Sequence, residues 1–156
     1  MENLGMFYKE CRKQAGLTQE RAAPMLGVEP RRLSDYENGA RVPDDVVSLM
    51  ADAYNAPILV LWHVKNRTPL GRYLPEIMPT RTDADLGLLT VIARKNAARA
   101  EESIMEALEG GKLTERGAGM IDDYIRYNEA TTGGMLSGMA YAVKIRNGFG
   151  SRLPAS

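Results

Sequence analysis

The sequence predicts an all-α protein. Apolar residues recur at steps of three and four through most of the chain, which is the spacing of an amphipathic helix. Glycine, proline and an Asn-Gly pair separate these periodic segments, as expected where helices begin and end. No segment shows convincing strand periodicity. We therefore expect five short helices, followed by a hairpin of two or three longer ones.

Composition restricts the class of protein without identifying it. The 156 residues allow one domain or two small ones, and 20 basic residues balance 20 acidic ones, so net charge favours neither nucleic acid nor membrane. One cysteine excludes an intrachain disulfide and a multi-cysteine zinc site. The longest apolar segment, 57–64, is too short to span a bilayer, and no signal peptide is evident. These observations predict a cytoplasmic protein with no membrane contact.

The first two helices have clear boundaries. Leu4 and Cys11 lie on one apolar stripe, and Gly16 follows as a residue able to end the helix in the left-handed conformation. Thr18 is a good N-cap for the second helix, which Gly27 ends.

The next three helices follow the same rules. Pro30 suits the first turn of the third helix, where its missing N–H costs nothing, and Gly39 ends that helix. The fourth helix starts near Pro43, with two aspartates that favour the helix dipole. A fifth helix is predicted over residues 57–67. Residues 1–67 therefore form the first predicted domain.

The second half begins after a connector rich in proline, 68–82. Helical periodicity returns over 83–147, where we expect a helical hairpin that serves in dimerisation or packs on its own N-terminal domain. The last helix, 114–146, is either continuous or divided at its glycine pair. Residues 148–156 are expected to be a flexible tail.

The second and third helices have the spacing of a helix–turn–helix. Gly27 can form the tight corner, Ala23 permits a close crossing, and Leu33 faces inward. The outward stripe of the third helix then consists of Arg31, Ser34, Asp35 and Asn38. An exposed helix that begins with arginine suits the major groove of DNA, since guanidinium bonds guanine or phosphate.

These residues resemble a known family. The segment GLTQERAAPMLGVEPRRLSDYENGARVP is similar to the phage repressor/Cro-type, or XRE-like, helix–turn–helix. The resemblance covers residues 4–64 and implies a five-helix lambda-repressor-like domain. It also implies binding to double-stranded operator DNA as a dimer, with the third helix in the major groove.

The resemblance also implies roles for individual residues. Gln19 would contact a phosphate or base, Arg31 and Asp35 would read bases, and Arg41 would meet the DNA backbone. The full set of implied DNA-binding residues is Thr18, Gln19, Arg31, Arg32, Ser34, Asp35, Asn38 and Arg41. Arg12 and Glu37 match the structural ion pair of the family.

Three features depart from the family pattern. Pro24 lies inside the second helix, where it removes a hydrogen bond and favours a bend. Asp35 lies four residues after Arg31, where it could neutralise that arginine or accept a hydrogen bond from cytosine. Residues 1–67 contain nine Lys or Arg and nine Asp or Glu, which predicts modest affinity for phosphates.

The chain carries no G-x-x-x-x-G-K-[ST], H-E-x-x-H or G-x-S-x-G motif, so we expect no enzymatic activity, metal or cofactor. Cys11 is expected in the core, Trp62 in apolar packing, and His63 at the surface or a helix end. The predicted function is a dimeric, repressor-type transcriptional regulator that dimerises through its C-terminal helices. The alternative is an antitoxin-like or adaptor module that keeps the fold and binds a protein. A small-molecule effector remains unknown.

Overall fold

The structure is a computed structural model that describes residues 5–77, 80, 82–109, 111–115 and 117–150. Its α-helices are α1 (Met6–Gln14), α2 (Gln19–Met25), α3 (Pro30–Glu37), α4 (Asp44–Ala53), α5 (Ile58–Arg67), α6 (Asp83–Ala107) and α7 (Ala118–Gly150). A 3-10 helix covers Pro69–Tyr73, and a two-residue antiparallel pair joins β1 (Leu108–Glu109) to β2 (Lys112–Leu113). The all-α fold class is confirmed, although the short strand pair was not predicted.

The first four helices end with the same backbone motif. After α3, the Gly39 N–H donates to the Tyr36 carbonyl at 3.1 Å, and the Ala40 N–H donates to the Asp35 carbonyl at 3.0 Å. These two hydrogen bonds define a Schellman motif, which needs a left-handed residue just after the helix. The four residues at this position are Gly16, Gly27, Gly39 and Asn55, all with positive φ. The predicted ends at the three glycines are confirmed.

Helix α2 accommodates its internal proline. The Thr18 hydroxyl accepts a hydrogen bond from the Arg21 N–H at 3.3 Å, which confirms the predicted N-cap. Pro24 lies one residue before the end of α2 and is exposed, so its ring faces away from the core. Ala22 and Ala23 are fully buried, and their small size allows neighbouring helices to pack closely on this face.

Residues 5–71 and 140–150 form one compact unit, and the described residues from 72 to 139 form a second. The last turns of α7 therefore group with the N-terminal residues, whereas the sequence-based division left them in the C-terminal hairpin and tail. Helix α7 is continuous through its glycine pair and includes residues 148–150. Residues 151–156 of the predicted tail, and residues 78, 79 and 81 of the connector, lie outside the described residues.

The first unit has an aliphatic and aromatic core. Cys11 is buried there, as predicted, and Trp62 packs against Phe7 and Tyr8 with ring centroids 4.7 and 5.5 Å away. The other buried members of this core are Ala22, Ala23, Leu26, Leu33, Tyr36, Val42, Val46, Val47, Met50, Ala51, Tyr54, Ala56 and Leu59.

The expectation that His63 lies at the surface or a helix end is wrong. Only 4% of this residue is exposed, and its Nδ1 lies 2.6 Å from the Tyr8 hydroxyl. The residue sits in the middle of α5, on the face that packs against α1. No local sequence pattern could predict that His63 is buried, because its partner Tyr8 lies 55 residues away in the chain.

The second unit packs α6 on α7 through small residues. Ala93, Ala100 and Ala107 are buried at intervals of seven on α6, and the Thr131 hydroxyl of α7 donates to the Ala93 carbonyl at 3.3 Å. A Cβ at Gly133 would lie 2.2 Å from the Glu76 carbonyl oxygen, so only glycine permits this approach. Small side chains thus form much of the contact, and several larger apolar side chains of both helices stay exposed.

A buried ion pair joins α1 to α3. Arg12 donates from Nε and one terminal nitrogen to the two Glu37 oxygens, at 2.5 and 2.9 Å. Its remaining terminal nitrogen donates to the Leu17 carbonyl at 2.6 Å. The hydrogen bond with Glu37 raises the pKa of Arg12. The predicted structural ion pair is therefore present in the protein core, with side chains 7% and 1% exposed.

Glu37→Gln should lower the free energy of unfolding by about 3–5 kcal/mol, because it leaves the Arg12 charge buried without its counter-ion. Denaturant titration of the variant measures this loss. The matched control is Glu29→Gln, because Glu29 is the exposed N-cap of the same helix and makes no side-chain capping bond. Equal, small effects of the two substitutions would contradict a structural role for the pair.

Candidate nucleic-acid interface

The α2–turn–α3 segment presents one face of α3 to solvent. Gly27 adopts φ +65° in the turn, and its N–H donates to the Pro24 carbonyl. On α3, Leu33, Tyr36 and Glu37 are buried at 4% exposure or less. Because these residues occupy the inner side, the opposite side of an eight-residue helix is left open over its whole length.

Most of the predicted DNA-binding side chains lie on this open surface. Gln19 and Ser34 are half-buried. The exposed members of the set are Thr18, Arg31, Arg32, Asp35, Asn38 and Arg41. The structure therefore brings the predicted residues of α3 together on one face, while Thr18 and Gln19 begin α2 and Arg41 follows α3.

Arg31 and Asp35 do not neutralise each other. Both are exposed, and in the described part of the chain no hydrogen bond or ion pair engages either side chain. An exposed guanidinium and an exposed carboxylate one helical turn apart can each present hydrogen-bonding groups to a ligand. Donation to guanine and acceptance from cytosine are the base contacts that these two groups can make.

The neighbouring polar residues are more constrained. The Arg32 guanidinium carbon lies 4.8 Å above the centre of the Tyr36 ring, a cation–π contact that restricts the side chain. The Asn38 amide donates to the Ser34 carbonyl at 2.9 Å. These contacts hold Arg32 and Asn38 close to the helix, so each would have to give up or share a contact to reach a base.

Gln19 takes part in the interior network that the sequence assigned to Arg12 and Glu37 alone. Its amide donates to a Glu37 carboxylate oxygen at 2.8 Å, so the start of α2 is attached to the end of α3. The two residues are 18 positions apart, and no local pattern indicates the contact. A contact of Gln19 with DNA remains a prediction.

Acidic groups border the same surface. Glu29 precedes α3 and Glu20 lies in the first turn of α2. A hydrogen bond from its own backbone N–H, with a second from the Thr18 hydroxyl, lowers the pKa of Glu20, so this carboxyl is ionised at neutral pH. Any anionic ligand at α3 must therefore bind to arginines that stand among carboxylates.

The described residues contain no group of three or more His, Cys, Asp or Glu side chains placed to hold a metal ion. In the same residues, none of the helices has the length and apolar character needed to cross a membrane.

Comparison with known proteins supports the helix–turn–helix geometry. Residues 9–61 match the family model described as Helix-turn-helix. The chain is also similar to the HTH-type transcriptional regulator ImmR of Bacillus subtilis (strain 168), with 41% identity over 54 residues.

The similarity to this regulator covers 34% of the present chain and 42% of the relative, so the chain matches less than half of that protein's length. No solved structure matches the chain significantly. The matched residues include α2, the Gly27 turn and α3, which are the elements that form the exposed face. Residues 9–61 of this chain therefore match a helix–turn–helix domain.

Proposed function

We propose that the protein is a sequence-specific DNA-binding transcriptional regulator of the repressor type, with α3 in the major groove. The observation that carries the proposal is the open face of α3, where Arg31 and Asp35 are exposed and contact no other side chain among the described residues. The similarity to a transcriptional regulator, limited to this domain, agrees with it. Arg32 and Arg41 add positive charge beside the same face.

The regulator is proposed to act as a dimer on a pseudo-palindromic operator. One α3 helix with three nearby arginines makes few phosphate contacts, and affinity grows with the number of phosphates neutralised. Two copies double those contacts and read half-sites about one helical turn apart. The chain has equal numbers of acidic and basic residues, so a single domain gains little from long-range attraction.

The second unit offers a surface for this dimer. Its large exposed apolar side chains are Tyr73, Leu88, Val91, Ile92, Met105, Leu108, Leu113, Ile125, Met135 and Met139. Leu88 and Ile92 also line an open cleft of about 640 Å³. Residues 130–143 of α7 carry no charge, although Met135 and Met139 are more than half exposed. Apolar surface of this kind favours association.

The same apolar surface supports a second candidate function, in which the chain is a protein-interaction module with a helix–turn–helix fold. The balanced charge of the chain agrees with that function. The two candidates differ in their ligand. A module would co-purify from its native host with one stoichiometric protein after nuclease treatment, and it would not enrich DNA.

Selection of bound fragments from the source genome tests the proposed regulator. The purified full chain is incubated with sheared genomic DNA at low salt, and bound fragments are sequenced. Enrichment of a short, pseudo-palindromic sequence is expected. If no sequence is enriched even at low salt, the proposal is wrong and the interaction module gains support.

Arg31→Ala should weaken binding to the selected operator by about 1–3 kcal/mol and relax specificity at one position of each half-site. The expected cause is the loss of a bidentate contact to guanine. Fluorescence anisotropy with operators that vary at every position measures both effects. Arg21→Ala, which removes an exposed arginine from α2, is the matched control. A loss that is uniform over all operator positions would identify Arg31 as a phosphate contact instead.

Arg41→Ala should weaken binding to operator and random DNA alike. Its side chain is exposed and lies outside α3, where a backbone contact is expected. The dependence of log affinity on log salt should become shallower by about one charge for each copy of the domain bound. Titrations at four salt concentrations measure the slope. An unchanged slope would exclude the phosphate contact.

Met139→Lys should dissociate the proposed dimer, since it places a charge in an apolar interface; an increase of at least about tenfold in the dimer dissociation constant is expected. Met139 is 64% exposed, so the substitution leaves the fold of a single chain intact. Sedimentation equilibrium measures the change. Met6→Lys is the control, since Met6 is a similarly exposed methionine on α1. Dissociation by Met6→Lys alone would place the interface in the first unit.

A further inference from the structure

The loop between α3 and α4 is attached to α5 by contacts from two residues of that helix. Arg67 donates from one terminal nitrogen to the Gly39 and Ala40 carbonyls, at 3.1 and 3.3 Å. His63, one turn earlier on α5, places Nε2 3.1 Å from the Asp44 carboxylate. The loop that carries Arg41 is therefore attached to α5 immediately before and shortly after that residue.

The attachment extends into the core through Tyr8. Its hydroxyl lies 2.6 Å from His63 Nδ1, and burial raises the pKa of Tyr8 to about 12, so the hydroxyl keeps its proton. Because a carboxylate only accepts, the Nε2 that faces Asp44 carries a proton, and Nδ1 is left to pair with the Tyr8 hydroxyl. Arg67 lies beside the same hydroxyl. We call Tyr8, His63, Asp44 and Arg67 the clasp.

The remaining residues of the loop leave Arg41 little freedom at its backbone. Val42 is 1% exposed and is anchored in the core, and Pro43 has a restricted φ of −63°. The Ala40 N–H is already bonded to α3. The Arg41 side chain is exposed, on a backbone that is held on both sides.

We propose that His63 and Arg67 are positioning residues, which hold the α3–α4 loop so that Arg41 meets the DNA backbone at a fixed distance from α3. The inference rests on the proposed function and extends it to two residues that do not themselves touch DNA. Holding the loop reduces the conformational entropy that binding would otherwise cost, and this raises affinity without adding a contact.

A double-mutant cycle tests the proposal with the full chain. The affinity of the selected operator is measured for the unmodified protein, Arg41→Met, Arg67→Met and the double variant at one salt concentration. If Arg67 acts through Arg41, its substitution weakens binding strongly in the unmodified protein and little in Arg41→Met, a coupling of at least about threefold. Additive effects would overturn the proposal. Lys13→Met, which removes an exposed charge from α1, controls for lost positive charge.

Asp44 lies at the other end of the clasp. Its side chain is 87% exposed, so substitutions there leave the core unchanged. Asp44→Asn and Asp44→Ala remove the same charge, but only asparagine can still accept the His63 N–H. Asp44→Ala should bind the operator more weakly than Asp44→Asn, and this difference should disappear in the Arg41→Met background. Equal affinities would contradict the proposal.

Measurement without DNA separates the clasp from the proposed function. Backbone order parameters of residues 39–42 should fall in Arg67→Met from the rigid range, about 0.85, toward 0.6, and should stay high in Lys13→Met. A loop that stays rigid overturns the proposal whether or not DNA binds. If the loop loosens in Arg67→Met but the protein selects no DNA, the clasp is supported as a structural feature and the proposed regulator is wrong.

Discussion

The buried ion pair between Arg12 and Glu37 is the interaction on which the N-terminal unit depends. Four hydrogen bonds converge on it, from Arg12 to Glu37 and the Leu17 carbonyl and from Gln19 to Glu37. A buried pair of this kind adds little net stability over apolar packing, because desolvation of both charges offsets their attraction. Its effect is on geometry, because its hydrogen bonds connect α1, the start of α2 and the end of α3. The exposed face of α3 follows from that arrangement.

The net charge of the chain does not describe the charges exposed at α3. Glu37 is buried against Arg12, so both charges of that pair are withdrawn from the surface, whereas the Asp44 side chain contacts His63 and is 87% exposed. Arg31, Arg32 and Arg41 remain exposed. A count of charges over the sequence treats all these groups alike. The local field at α3 depends instead on which charges have internal partners, and that depends on contacts between helices.

The second unit has a different physical basis. Its two long helices approach closely through alanine, glycine and threonine, and several larger apolar side chains of both helices are left exposed. An isolated helical hairpin cannot bury two apolar faces in one contact. This explains why the hairpin, which carries no sequence motif, exposes apolar side chains. The periodicity of the sequence predicted both helices, but it did not identify the residues that form the contact between them.

The sequence by itself determined the helices and their ends, because these depend on local chemistry: Gly16, Gly27 and Gly39 allow the left-handed turn, and Thr18 caps α2. It also indicated the open face of α3 through spacing and family resemblance. Only the tertiary structure decided which polar groups are engaged inside the protein. Gln19, His63 and Arg67 find their partners 18, 55 and 28 residues away, at distances where no local pattern operates. Burial removes water from these groups, so each must find its hydrogen-bond partner on the element that packs against it.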